Sequence, residues 1–218
     1  MQWPAIEPLG DAALLVRLGE VIDETTHRRV RAAYAALAAA AVPGVGDIVP
    51  AYTTLTVHYD PTRADYGALE RRLMEVLAAA SEETSPASRV VSIPVRYGGD
   101  DGPDLAAVAA HAQLGMDEVV RRHVAGEYVV HMIGFAPGFP YLAGLDPRLA
   151  CPRRESPRAR VPAGSVGIGG SQTGIYPIEI AGGWQLIGRT SLTLFDAERE
   201  PPSVLAPGDR VQFVEIPG

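Results

Sequence analysis

Tyr128-Val-Val-His-Met-Ile-Gly-Phe135 is nearly all apolar and lies between a charged helix and a proline-rich turn. So short an apolar run reads as a strand buried on both faces. Downstream, Ile178-Ile180, Trp184-Ile187, Leu192-Phe195 and Arg210-Ile216 repeat short strand patterns, separated by Gly-Gly, Arg-Thr and Pro-Gly-Asp turns. Closely spaced strands of this kind point to a closed barrel, which leaves no exposed edge. Val130, Met132, Ile133, Trp184 and Leu186 are its expected core. Upstream, Val90–Tyr97 is a strand whose Pro94 implies an edge or a bulge. Helices are expected from Pro103 to about Ala112 and over Asp117–Val124. Gly115 gives this pair a helix-turn-helix rhythm, but Asp117 and Glu118 would meet phosphates with the wrong sign, so the two are read as packed on the barrel.

The first 85 residues have another pattern. Leu14–Leu18 is a strand, and Asp23 is placed to cap a helix running to about Ala41, with Val30, Tyr34, Leu37 and Ala41 on one stripe. Pro43 and Gly44 stop it. Leu55, Val57 and Tyr59 alternate with polar residues, a half-buried strand. Asp65 caps a second helix bearing Leu69, Leu73, Val76, Leu77 and Ala80. Two helices on one face of a small, mostly antiparallel sheet result. The polar Ser81–Pro86 stretch is the expected boundary. The fold class is therefore an α+β domain over 1–85 followed by a mainly β barrel domain over 86–218.

Composition narrows the function. The 218 residues are 47% apolar and 21% charged, with net charge −7, which disfavours nucleic acid or an anionic membrane as partner. No apolar run is long enough to span a membrane, and Met1-Gln-Trp-Pro4 lacks the basic start of a signal peptide, so the cytoplasm is the expected location. Cys151 is the one cysteine, which excludes an intrachain disulfide and a multi-cysteine metal site. The five histidines show no metal spacing; His27, His58 and His111 are expected at the surface, His123 and His131 as hydrogen-bonded structural groups. All 19 basic residues are arginine. Without lysine the chain has no Schiff-base lysine, no P-loop lysine and no attachment point for biotin.

Residues 131–190 carry the functional signal. Gly134, Pro137, Gly138 and Pro140 stiffen a turn holding Phe135, Phe139 and Tyr141, where a simple reversal would be polar. The turn is either the wall of a pocket or partner surface, or a tight barrel corner. Gly138 is expected at positive φ, and a cis Phe139–Pro140 bond is permitted. Arg153, Arg154, Arg158 and Arg160 face one glutamate, Glu155, across eight residues. They suit an anion or an acidic partner, or else a solvated loop. Val161–Pro177 holds five glycines between 164 and 174. It fails as a dinucleotide fingerprint because position 172 is Gln, and as a Walker loop for want of Lys. It is either a backbone that approaches a ligand, with Ser165, Ser171, Gln172 and Thr173 offering hydrogen bonds, or a glycine-kinked barrel strand. One cleft is expected to gather Phe139, Tyr141, Arg158, Arg160, Ser171 and Gln172, with Trp184 or Arg189 beneath. No nucleophile–base pair is evident, so no catalytic residue is assigned.

These motifs, Gly134-Phe-x-Pro-Gly-Phe-Pro-Tyr-Leu142, Pro152-Arg153, Pro157-Arg158, Val161–Pro177 and Gly183-Trp-Gln-Leu-Ile-Gly-Arg-Thr190, closely resemble the family known as allophanate hydrolase subunit 1. Pro8-Leu-Gly-Asp11 and Pro207-Gly-Asp-Arg210 resemble it too. That family includes the sporulation kinase inhibitor KipI and the 5-oxoprolinase subunit PxpB. The resemblance implies a cyclophilin-like second domain and a partner, the family's second subunit (allophanate hydrolase subunit 2, or PxpC type). It implies ATP-dependent opening of 5-oxoproline to glutamate, with a third subunit completing the reaction and ATP used together with the partner. Two other activities are implied equally by the motifs: the carboxyltransferase half of a urea carboxylase or allophanate hydrolase system, and histidine-kinase inhibition without catalysis. The expected lack of an attached biotin-carrier segment favours 5-oxoproline opening over carboxyl transfer, and kinase inhibition, which shares the same motifs, stays open.

Overall fold

In the computed structural model, residues 3–80 and 89–217 are described. The chain divides into two compact units, Met1–Ala87 and Ser88–Gly218. The expected boundary segment, Ser81–Pro86, lies outside the described residues.

The first unit is a four-stranded antiparallel sheet in the order β1-β2-β4-β3, made of β1 (Ala5–Pro8), β2 (Ala13–Arg17), β3 (Val45–Pro50) and β4 (Thr54–Tyr59). Two helices, α1 (Glu24–Ala40) and α2 (Tyr66–Ala78), share its core. Each starts where a short carboxylate satisfies a free N–H: Asp23 accepts from the Thr26 amide at 2.7 Å, Asp65 from that of Ala68 at 3.0 Å. Ala41 ends α1 in the left-handed region, φ 42°. The α1 stripe runs through Val30, Ala33 and Leu37, while Tyr34, expected on it, is exposed. His27 also departs from expectation. It is buried one turn below Val30, on the face that α1 turns to the core. The flanking strands β1 and β3 have no counterpart among the expected elements, since neither shows an alternating pattern.

The second unit contains β5 (Val90–Tyr97), α3 (Leu105–Ala112), α4 (Met116–Ala125), β6 (Tyr128–Ile133), β7 (Pro140–Ala143), β8 (Arg158–Val161), β9 (Ser165–Gly169), β10 (Gln172–Ile175), β11 (Ile180–Gly182), β12 (Gln185–Arg189) and β13 (Arg210–Glu215). Seven strands close into a barrel in the order β10-β7-β6-β13-β5-β12-β9, and β8 pairs with β11 apart from it. The closing pair, β5 with β13, is parallel, from Val90 opposite Arg210 to Val95 opposite Glu215. Pro94 is thus not on a barrel edge. β12 reaches only Arg96 and Tyr97 of β5, so Pro94 has a strand partner on the β13 side alone, and its other side is locally an edge, where proline is tolerated.

Val130, Leu142, Val166, Ile168, Ile187 and Phe213 fill the barrel, and Leu105, Val108, Val119 and Val120 join the two helices to the same core. Trp184 and Leu186 are buried in a separate aromatic cluster. Met132 and Ile133 are only half-buried. Leu192–Phe195 is not a strand; it makes one isolated bridge, Phe195 to Ser203. The glycine-rich run, by contrast, is strand: β9 and β10 form a hairpin of the barrel wall.

Candidate functional site

The stiff turn between β6 and β7 is closed by its own backbone: Phe139 N–H donates to Ala136 C=O at 3.0 Å, and Gly134 N–H to Phe139 C=O at 3.1 Å. Gly138 has φ 79°, and a Cβ there would sit 2.8 Å from Phe195 Cβ, so only glycine fits. The Phe139–Pro140 bond is not cis. Phe135 itself is held at φ 69°, a region that bulky residues avoid, and the residue is 58% exposed. Such strain on an exposed aromatic points to a functional surface.

Phe139 lies at the centre of an aromatic cluster. Its ring stands edge-to-face with Phe135 at 5.4 Å, Tyr141 at 4.9 Å, Tyr176 at 5.2 Å and Trp184 at 5.5 Å. The glycines make this possible. A Cβ on Gly169 would lie 2.6 Å from the Trp184 indole, and one on Gly174 would lie 2.7 Å from Pro140 O and 3.0 Å from the Phe139 ring. The run is glycine-rich to admit an indole, not a ligand. Gly169→Ala is accordingly expected to displace Trp184 and cost about 1–3 kcal/mol of barrel stability by overpacking; thermal unfolding together with indole fluorescence measures both effects.

The cluster forms one side of a cleft of about 290 Å³ lined by Phe135, Phe139, Tyr141, Tyr176 and Trp184, with Arg153, Arg154 and Pro157 opposite. The Arg153 guanidinium lies 5.9 Å from the Trp184 ring centre, within cation–π range, and has no carboxylate partner among the described residues. Burial pushes the Tyr141 and Tyr176 hydroxyls above the ordinary phenol range, so both stay protonated donors at neutral pH.

The 152–158 segment is anchored to the barrel by a buried carboxylate. Asp104 Oδ1 accepts from Arg158 Nη2 at 2.7 Å and Arg154 Nη1 at 3.3 Å, and Oδ2 accepts from the Leu186 amide at 2.7 Å. Arg154 N–H donates to Gly183 C=O at 2.7 Å and Gln185 Nε2 to Pro152 C=O at 3.1 Å. The wall carrying Arg153 is therefore held at four points, two on Asp104, one on Gly183 and one on Gln185 of β12.

Of the residues expected in one cleft, Phe139, Tyr141 and Trp184 meet there. The others do not. Arg158 is turned to Asp104. Arg160 is 83% exposed, 3.8 Å from Glu179. Ser171 sits in the exposed β9–β10 turn, and Gln172 opens β10 opposite Gly169, on a stretch that does not reach the cleft. Arg189 faces a different hollow. Burial pushes the Cys151 thiol up to about 11, which leaves it a poor nucleophile. Among the described residues, no three His, Cys, Asp or Glu side chains could share a metal ion, and no helix is long and apolar enough to cross a membrane. The cleft can hold a small, flat, apolar ring against aromatic walls and place an anionic substituent at Arg153.

Closed barrel, appended helices and aromatic cleft define a carboxyltransferase-type module: the chain belongs to the family of the carboxyltransferase domain, subdomain C and D, whose model matches residues 4–205. Within it, the chain is 48% identical, over 97% of its own length and 92% of the relative's, to the B subunit of 5-oxoprolinase from Bacillus subtilis. It is 45% identical to the corresponding 5-oxoprolinase chain of Escherichia coli O157:H7, over 94% of this chain and 93% of that protein. The crystal structure of TTHA0988 superposes with a TM-score of 0.84 at 44% identity, covering 94% of this chain. This chain spans only 40% of the TTHA0988 chain.

Proposed function

We propose that this chain is the B-type subunit of an ATP-dependent 5-oxoprolinase, which hydrolyses 5-oxo-L-proline to L-glutamate together with a second and a third subunit. The observation that carries the reading is the match to the B subunit of the Bacillus subtilis 5-oxoprolinase over nearly the full length of both chains, 48% identical. The cleft supports it chemically. 5-Oxoproline is a five-membered lactam bearing a carboxylate: its ring methylenes suit the Phe139, Tyr141 and Trp184 edges, its carboxylate suits the Arg153 fork, and a protonated tyrosine can donate to the lactam oxygen. ATP enters as a co-substrate of the assembly. This chain offers its phosphates arginines but neither lysine nor a phosphate loop, so the partner supplies the main nucleotide contacts. The length of TTHA0988 beyond the match is compatible with a partner fused in one chain. The family's name, a carboxyltransferase domain, favours a second reading, carboxyl transfer, for which the donor would be biotin on a partner because this chain has no lysine to carry it.

The test is co-expression with the product of the neighbouring gene and an assay of ATP-dependent glutamate release from 5-oxoproline. The isolated chain is expected to be inactive and the assembly active. In the assembly, Arg153→Ala should raise KM about tenfold, the worth of one charged hydrogen bond, with co-purification intact. Robust turnover by the chain alone, or a KM indifferent to Arg153, rejects the assignment. Biotin-dependent carboxyl transfer in its place establishes the second reading.

A further inference from the structure

Arg96 on β5 and Arg189 on β12 are directly opposed cross-strand partners, so both side chains leave the same face of the barrel wall. Like charges so placed repel unless something relieves them. Arg96 Nε donates to Asp101 Oδ2 at 2.9 Å, which answers one charge. Arg189 Nε donates to the neutral Ala163 carbonyl at 2.9 Å, and its terminal nitrogens have no carboxylate among the described residues.

The backbone is shaped to aim this arginine. A bulge between Leu186 and Gly188 opposite β9 lets Leu186 and Ile187, consecutive residues, both stay buried, and Arg189 then turns outward. Both arginines line a hollow of about 370 Å³ that also presents Thr190, Ser191 and Thr193 and shares no residue with the aromatic cleft. Its floor is held by the Thr190 amide donating to Gly164 C=O at 2.9 Å, and its rim by the Leu192 amide donating to Thr190 Oγ1 at 3.1 Å.

We propose that this hollow is an oxyanion site for phosphate, either free or as the terminal phosphoryl group of a nucleotide. Two arginines line the hollow from adjacent strands and only Arg96 is paired with a carboxylate, Asp101, leaving an excess positive charge. Ser191 and Thr193 line the hollow from the loop after β12 and bring hydroxyl donors to it. Donors from two directions suit a tetrahedral dianion better than a planar carboxylate, and Arg is the side chain whose geometry suits phosphate oxygens. The site stands independently of the lactam reading.

The test titrates the full chain with inorganic phosphate, with ATP and with malonate by calorimetry at low ionic strength. Saturable phosphate binding is expected, weakened tenfold or more by Arg189→Gln and by Arg96→Gln and unchanged by Arg160→Ala, which lies outside the hollow. Phosphate binding as tightly as ATP assigns free phosphate; tighter ATP binding with the same losses assigns the nucleotide's phosphoryl group. Should Arg189→Gln fail to fold for loss of the Ala163 bond, Arg189→Lys and Ser191→Ala carry the comparison, each expected to weaken binding. No saturable phosphate binding, indifference to both arginines, or malonate binding as tightly as phosphate overturns the proposal.

Discussion

Asp104→Ala is expected to destabilise the barrel unit by about 3–5 kcal/mol, the range for stripping one partner from a buried ion pair. The Asp104 side chain is only 8% exposed and receives Arg154, Arg158 and the Leu186 amide. Its removal leaves two guanidiniums facing each other with nothing between them, and one buried amide unsatisfied. Solvent reaches Arg154, 37% exposed, more than Arg158, 22% exposed, so most of the loss should come from Arg158. Asp104→Asn keeps an acceptor for Leu186 but no charge, and should fall between. Adding Arg158→Met to Asp104→Ala should recover part of the loss, because the uncompensated charge is then gone. Urea unfolding of the four proteins measures this. A cost below about 1 kcal/mol for Asp104→Ala, or additive effects of the two changes, would show that the anchor carries no energy.

The second large effect is on acid stability. His123 is wholly buried in the barrel, its Nδ1 2.8 Å from Tyr97 Oη and its Nε2 3.0 Å from Thr173 Oγ1. Thr173 Oγ1 donates to Gly167 C=O at 2.9 Å, so it can only accept from the imidazole. The ring therefore carries its proton on Nε2, and Tyr97 donates to Nδ1. Every polar atom of the neutral ring is satisfied, and a second proton has no place. Burial lowers the His123 pKa to about 3 from an ordinary 6.5. Below pH 6.5 the unfolded chain binds a proton that the folded barrel refuses. The contribution of His123 to stability is thus complete above pH 6.5 and is lost as pH falls toward 3, by up to about 4–5 kcal/mol. In a Trp3→Phe background, where Trp184 is the remaining indole, urea midpoints at about pH 8, 6, 5 and 4 should decline steeply. His123→Gln should be less stable at the alkaline end but should flatten the decline. Parallel pH profiles for the two would rule out His123 as its source.

Much of the fold was legible because local and long-range signals agreed. Asp23 and Asp65 precede apolar stripes and do cap helices, and Tyr128–Ile133 is a barrel strand. Where the two signals disagreed, sequence misled. Glycines at 167, 169 and 174 look like flexible loop, yet they sit in strands because Trp184, distant in sequence, occupies the space their side chains would take. Leu192–Phe195 has strand composition but finds no ladder partner. The site was half legible. Aromatics on a stiff proline turn announced the cleft. The arginine cluster did not reveal which member faces it, because that is decided by Asp104. An aspartate just before a helix reads as a cap, but here it makes no cap hydrogen bond and reaches the arginines and Leu186 instead.

The parallel pairing of β5 with β13 joins residues about 120 positions apart along the chain. During synthesis β5 emerges early and waits, its neighbour still inside the ribosome. Until Arg210–Glu215 clears the exit tunnel, the nascent unit is a sheet with two open sides and an exposed apolar interior, a state prone to pairing with other chains. Closure is then a single late event that seals both sides together.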